Sequence, residues 1–445
     1  MILSLLWTDI MVWFLVISLL LWSRVVSRSP QVRKQWHTIF KSSIAMASAI
    51  ILLFYLLFTL LDSVHLRFAM QTTETKSEQV QYGEIVSLLD LLFAHNIEST
   101  ERTYSAPFAT HEYASSIVVD KNGVTKQEYL PLKYVGDGND IVAKSMVAIF
   151  TGLMISGSLI VLHMLWRKRR GFKSELPWRT AYLTILFLVM TFTWFYMMSY
   201  HYHVLGTDKV GGDVLYQSLK SIRTGVLIGI LTTLIMLPVA IILGVSAGLF
   251  GGWVDDVIQY LYTTLSSIPG VLLIAAGVLS MQVMMDNNPS WFETTLERSD
   301  LRLLFLIMIL GITSWTGLCR LLRAETLKIS QIEFVTAAKA FGVSKLTIIR
   351  RHIIPNLMHI ILISVVLDFS GLVLAEAVLS YVGVGVDPTM HSWGNMINQA
   401  RLEMAREPMV WWSLFSAFIF MFILVLAANL LSDRVQTVLD PRNKS

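Results

Sequence analysis

One cysteine stands in 445 residues, so the chain can close no internal disulfide and offers no cysteine cluster for a metal. That residue, Cys319, lies in an apolar stretch. Charge is also scarce. Asp, Glu, Lys and Arg make up 15% of the chain, against about a quarter in soluble domains. No GxxxxGK[ST] stretch occurs, which excludes ATP binding through a P-loop. The apolar run Met1–Trp22 lacks the basic start and small-residue cleavage site of a signal peptide, its first basic residue being Arg24. It reads as an uncleaved membrane span with its N-terminus outside.

What is abundant is apolar sequence: 54% hydrophobic residues and a mean hydropathy of +0.61. A helix needs roughly 20 apolar residues to cross about 30 Å of hydrocarbon. Nine segments meet that length, at 2–22, 43–61, 145–166, 181–200, 222–249, 255–281, 303–322, 358–381 and 409–431. Helices are expected there because lipid leaves free backbone groups without partners. The fold class is therefore all-α polytopic, with about nine transmembrane helices. Basic residues collect at 23–42, at 167–173 and at 320–352. Nine spans put these three loops on one side, and the positive-inside rule makes that side cytoplasmic, together with the C-terminus.

Residues from Asp62 to Asp140 fall on the opposite side, with twelve acids and six bases, a net charge of −6. Strand-like runs such as Ser116–Asp120 flank an Asn122-Gly123 turn signal. A small extracytoplasmic module is expected, with a spacer or assembly clamp a better reading than a ligand site. Four units follow: a two-span extension at 1–61, the acidic module at 62–143, a third span with its basic loop at 144–175, and a core at 176–445.

Within the core, residues 331–356 are too polar to span and too patterned for a slack linker. Ile332, Phe334, Val335, Ala338 and Phe341 approximate one face of a short helix beginning near Glu333. Gly342 fits a left-handed helix stop. Ser344 fits the cap of a second helix, from Lys345 to about His352, and Pro355 marks the start of the next span. The expected product is a helix–turn–helix with one apolar face rimmed by Lys and Arg, suited to insertion into a groove on another protein.

This segment resembles the EAA loop of ATP-binding-cassette importer permeases. Ala337, Ala338, Gly342 and Pro355 stand at matching positions, while Thr336 replaces the family's Glu and Glu333 lies one turn earlier. The flanks resemble the C-type subunits of oligopeptide and dipeptide permeases. Leu205-Gly206-Thr207-Asp208 followed by Gly212-Asp213-Val214 is similar to their LGTDxxGRDV segment, with Gly212 in place of Arg. Ser267-Ile268-Pro269-Gly270, Leu374-Ala375-Glu376-Ala377, Tyr381-Val382-Gly383, Ser392-Trp393-Gly394 and Leu439-Asp440-Pro441-Arg442 follow in that family's order. The similarity covers roughly residues 200–445 and leaves the first 175 outside it.

The resemblance implies a permease subunit of an ATP-driven importer, moving peptides or similar small solutes across the inner membrane. It implies a second homologous permease subunit, two ATPase subunits that bind ATP and Mg, an extracytoplasmic solute-binding protein and surrounding lipid as partners. It implies no cofactor of its own, and no nucleic-acid partner is expected. Two rival readings are an ion-coupled secondary transporter and a membrane sensor or assembly protein built on 62–143.

Other motifs have blander readings. Gly244-Val245-Ser246-Ala247-Gly248 matches the GxSxG of serine hydrolases but sits in an apolar run, where two glycines four apart serve close helix packing. Asp368 and Glu376 share the span 358–381, about 80° apart at about 100° per residue. Ionisable residues inside a membrane face protein or water. Both are candidates for the pathway or an interface: Glu376 for anchoring a neighbouring loop or for gating, and Asp368 for a bond across a subunit interface in preference to a substrate contact. His201 and His203 do not share a helix face and have no third ligand, so a metal site is not expected.

Overall fold

Within hydrocarbon, a helix satisfies its own backbone groups, and the apolar runs of this chain fold accordingly. The computed structural model describes residues 2–28, 30–69, 82–119, 125–136, 138–170, 175–292 and 294–439. Lys173, Asp120, the Asn122-Gly123 turn and Asp440-Pro441-Arg442 lie outside them. The chain opens with β1 (Ile2–Ser4), α1 (Trp7–Arg28), α2 (Pro30–Phe40) and α3 (Ser43–Asp62). The outer module follows with β2 (His65–Ala69), β3 (Tyr82–Ser87), the short helices α4 (Leu88–Leu92) and α5 (Ala94–Glu98), β4 (Ser116–Val119) and β5 (Thr125–Glu128). A hairpin of α6 (Ile141–Arg170) and α7 (Trp178–Ser199) leads to the core. The core holds α8 (Val214–Phe250), α9 (Gly252–Ser267), α10 (Gly270–Asp286), α11 (Thr295–Ser330), α12 (Glu333–Ala340), α13 (Lys345–Ile348), α14 (Ile354–Tyr381), α15 (Trp393–Glu403) and α16 (Trp412–Leu439).

Among the described residues, seven helical segments are long and apolar enough to span a membrane: α3, α6, α7, α8, α11, the run from Lys345 to Tyr381, and α16. Two of the expected spans depart from a straight helix. The 255–281 segment is broken into α9 and α10, which meet at 87°. Pro269 has no N–H and forces Ile268 into an extended conformation, with φ −87° and ψ 130°. The 2–22 segment begins as a strand, since Ile2–Ser4 pairs antiparallel with His65–Arg67. The apolar helix there is the shorter Trp7–Leu21. β1, β2 and β3 form one antiparallel sheet, and β4 pairs with β5 as a separate hairpin.

α8 is 37 residues long, about 55 Å at 1.5 Å per residue, so it stands well clear of a hydrocarbon layer of about 30 Å. It packs along α11, α14 and α3. Gly244 and Gly248 of α8 lie where a β-carbon would meet the Cys319 carbonyl at 2.7 Å and the Thr326 side chain at 2.6 Å. The GxSxG match is thus a close helix crossing, not a nucleophile elbow. The outer half of the core is filled by large rings. Trp393 and Trp412 are both buried, and Trp393 donates its Nε1–H to the Ser218 carbonyl at 3.1 Å. Here the extension is continuous with the core, because Tyr55 and Phe58 of α3 belong to the same apolar cluster as both tryptophans.

Candidate functional site at the loop between α11 and α14

α11 ends at Ser330, and Ile332, in extended conformation, starts the eight-residue α12. Glu333 sits in its first turn, where a carboxylate faces the positive end of the helix dipole. Thr336, at the position of the family's Glu, turns its hydroxyl onto its own helix and donates to the Glu333 carbonyl at 2.9 Å. α12 stops in a double-bonded left-handed cap. Gly342 has φ +74°, its N–H reaches the Lys339 carbonyl at 3.0 Å, and the Val343 N–H reaches Ala338 at 3.1 Å. Ser344 then caps α13 by accepting the Thr347 N–H at 3.3 Å.

Two expectations change here. The second helix does not stop near His352: α13 runs through a wide helical turn, Ile349–Ile353, directly into α14. Pro355 lies in the first turn of α14, where its missing N–H is tolerated. The loop is therefore fused to a long helix that crosses the core. Nor do the five apolar residues share one face. Val335 is fully buried against a cluster that includes Ile348 and Ile353, and Ala338 packs on the same cluster. Ile332, Phe334 and Phe341 point outward, Phe341 with 88% of its surface exposed and Leu346, just past the turn, with 76%. Ala337 is exposed beside them. Burying a side chain of that size is worth about 2 kcal/mol, so two exposed together at a rigid turn form a surface that lacks its cover. Lys339, Lys345, Arg350 and Arg351 surround it, all exposed. Behind the loop, Arg323 grips Asp255 with two bonds of 2.5 and 2.7 Å, tying the end of α11 to α9.

The other singled-out residues lie at the opposite end of the core and act as fasteners. Gly206 has φ +73° and passes so close to Trp412 that a β-carbon there would lie 2.8 Å from its Nε1. The Thr207 hydroxyl accepts the Ser105 N–H at 2.6 Å and donates to the Thr103 carbonyl at 2.9 Å. The carbonyl of Thr207 accepts Trp412 Nε1–H at 2.9 Å. Asp208 accepts the Gly212 N–H at 2.7 Å and the Gln217 amide at 2.6 Å. Asp213 caps α8 through the Tyr216 N–H at 3.0 Å and meets His203 Nδ1 at 3.0 Å. His203 is thereby a structural partner, and no metal-binding group of three His, Cys, Asp or Glu residues occurs among the described residues.

Glu376 is buried, and Ser380 donates to it at 2.8 Å. The Ser392 side chain and the Gly394 N–H bond to it as well. It anchors the Ser392-Trp393-Gly394 turn, one of its two expected roles. Asp368 lies two turns away, and its Oδ2 is buried with no partner in the described chain.

Sequence reasoning missed a charge network at the outer end of α8. Arg223 reaches Asp9 of α1 at 2.8 Å and Asp300 of α11 at 3.6 Å. It also donates to the Thr8 hydroxyl at 2.6 Å, while Asp9 meets His65 at 2.8 Å. One turn earlier, Lys220 pairs with Asp90, which also accepts the Tyr216 hydroxyl at 2.7 Å, and lies 3.9 Å from Asp62. The signal was available: Asp9 interrupts the first apolar run, and Lys220 and Arg223 stand one turn apart at the start of the fifth.

With this geometry in hand, four similarities are informative. A family model described as the binding-protein-dependent transport system inner membrane component matches residues 240–445. The oligopeptide transport system permease protein of Mycobacterium tuberculosis is 32% identical over 243 residues, covering 55% of this chain and 77% of the relative. That of Haemophilus influenzae is 30% identical over 302 residues, 63% of this chain and 89% of the relative. The dipeptide transport system permease protein of Bacillus subtilis is 30% identical over 240 residues, 54% and 69% respectively.

Proposed function

Because this chain belongs to the oligopeptide and dipeptide permease family of ATP-driven importers, we propose that its loop at 331–356 is the element that engages a separate ATPase subunit, and that its cargo is a short peptide. The chain is a multi-pass inner-membrane transport subunit; its ATP is hydrolysed on separate ATPase subunits, and an extracytoplasmic binding protein supplies the solute. In the full assembly a second homologous permease subunit completes the path, and two ATPase subunits sit beneath. The N-terminus lies outside and the C-terminus in the cytoplasm, an orientation supported by the three basic loops. The organisation into an extension at 1–61, an outer module at 62–143, a third span at 144–175 and a permease core at 176–445 belongs to the same reading. Lipid covers the outer faces of α6 and α7.

One observation carries the coupling role: Phe341 and Leu346 stand exposed on a doubly capped turn that is fused to α14. A partner groove that takes these side chains moves α14 with it, since the intervening helix is continuous. Closure of the ATPases would then bias the spans between two arrangements through differential contacts. Glu333 and Thr336 complete the docking helix, with Ala337 flush enough to admit a close partner surface. Asp368, whose Oδ2 has no partner among the described residues, is assigned to a bond across the permease–permease interface.

The test is a reconstituted transporter carrying Phe341→Asp. The protein should remain in the membrane with its partners while solute-stimulated ATP hydrolysis and uptake fall at least tenfold. Stimulation at the unaltered level would overturn the docking assignment.

A further inference from the structure

A cavity of about 510 Å³ opens at the outer end of α8. Its walls come from two sources. The extension and outer module supply Asp62, His65, Glu84 and Asp90, and the core supplies Lys220 and Arg223. The rest of the wall is the imidazole of His391, hydroxyl side chains such as Thr224, Thr294 and Ser299, and the apolar Ile85, Leu296 and Met390. The volume is that of a small solute, and the mixture of polar and apolar lining fits a ligand site.

Charge decides what such a solute would carry. Five carboxylates stand on or directly behind the wall: Asp9, Asp62, Glu84, Asp90 and Asp300. Two permanent cations, Lys220 and Arg223, answer them, and both are already held in ion pairs. Carboxyl groups thus outnumber the permanent cations by three, and only some of them are matched by an ion pair. Glu84 is exposed at the cavity and makes no ion pair among the described residues. A second group of one sign facing a low-dielectric wall attracts its opposite and repels its like. Polar hydroxyls on the far wall can take amide groups without demanding charge.

We propose that this cavity is an extracytoplasmic solute site that receives a protonated amine, such as the free amino end of a short peptide, with Glu84 as its counter-charge. The site rests on the importer reading for its cargo class. The module at 62–143 thereby contributes part of a binding surface that the core alone would not possess. A free carboxylate end is held more weakly, because Lys220 and Arg223 are occupied.

The assembled transporter in lipid nanodiscs, without its binding protein, is titrated with trialanine and with N-acetyl-trialanine. Trialanine should bind saturably and the acetylated peptide about tenfold or more weakly. Glu84→Gln should weaken trialanine by about five- to tenfold, the loss of one partly exposed ion pair, and Leu296→Trp, which fills the cavity from the opposite wall, should weaken both peptides alike. No saturable trialanine binding, equal affinity for the two peptides, or binding indifferent to both substitutions overturns the proposal. Failure of the importer reading shows elsewhere, as an unaltered parent assembly with no solute-stimulated ATP hydrolysis.

Discussion

The two ends of the core solve opposite problems. At one end, the loop between α11 and α14 satisfies its polar groups by itself and leaves Phe341 and Leu346 exposed. Thr336 bonds to its own helix, Gly342 and Val343 close the cap, and Phe341 stays 88% exposed. At the opposite end, the largest rings are buried, and Lys220 and Arg223 are drawn inside and answered by acids far away in sequence. Arg223 meets Asp9 across 214 positions. On the docking proposal, a partner from another chain completes the first arrangement, whereas the second already holds its partner, the extension, within the same chain. A docking surface is thus marked by what it leaves uncovered, and an internal clamp by what it leaves unpaired when one half is taken away.

The comparison breaks most sharply at Arg223. Arg223→Met leaves Asp9 and Asp300 facing each other without a cation, and breaking one side of a buried ion pair costs about 3–5 kcal/mol. The expected result is a large drop in thermal midpoint and in membrane-inserted protein, read by fluorescence-detected size exclusion. Pairing it with Asp9→Asn should restore part of the loss, since contacting residues are not additive. Full additivity would mean that the two do not interact. Phe341→Asp sharpens the other side: thermal midpoint unchanged, coupled ATPase activity down at least tenfold. If the midpoint falls as it does for Arg223→Met, the two ends do not differ in kind.

Smaller effects follow. Gly342→Ala places a β-carbon at φ +74°, a conformation that costs about 1–2 kcal/mol for other residues. It should shift the loop's hydrogen-exchange protection while leaving the outer network untouched. Ser344→Ala removes one cap of α13, about 1 kcal/mol, and should halve or better the coupling efficiency without changing expression. Smallest of all, Thr336→Glu on the exposed face of α12 should leave stability within about 0.5 kcal/mol. A rise in ATPase affinity would show that the carboxylate, where present, serves the partner and not the fold.

Much of this was legible in the residues. The 3.6-residue periodicity, the capping signals at Gly342 and Ser344 and the apolar run lengths are local, so their consequences are local too. The helical stop at Gly342 and the cap at Ser344 formed where they were expected. The apolar face of α12 was misread because Val335 and Phe341 are equally hydrophobic, and only the position of Ile348 and Ile353 beneath the helix separates inward from outward. The second helix ran past His352 because a wide turn at Ile349–Ile353 absorbed the approach to Pro355, a geometry that no spacing rule announces. The break at Pro269 was written in the sequence and passed over in favour of run length.

By itself the sequence determined that this chain is a helical membrane protein, with its basic loops grouped for one side and a patterned loop at 331–356. Those outcomes depend on the cost of exposing backbone to lipid and on residue-level capping, and both act over a few turns. Tertiary structure alone decided that α1 and α3 are fastened to the core, that Glu376 anchors the Trp393 turn, and that Lys220 and Arg223 pair with acids of α1, α4 and α11. Charge pairing at contact distance is indifferent to separation along the chain. Only the packing of α1, α3 and α8 could bring those partners together.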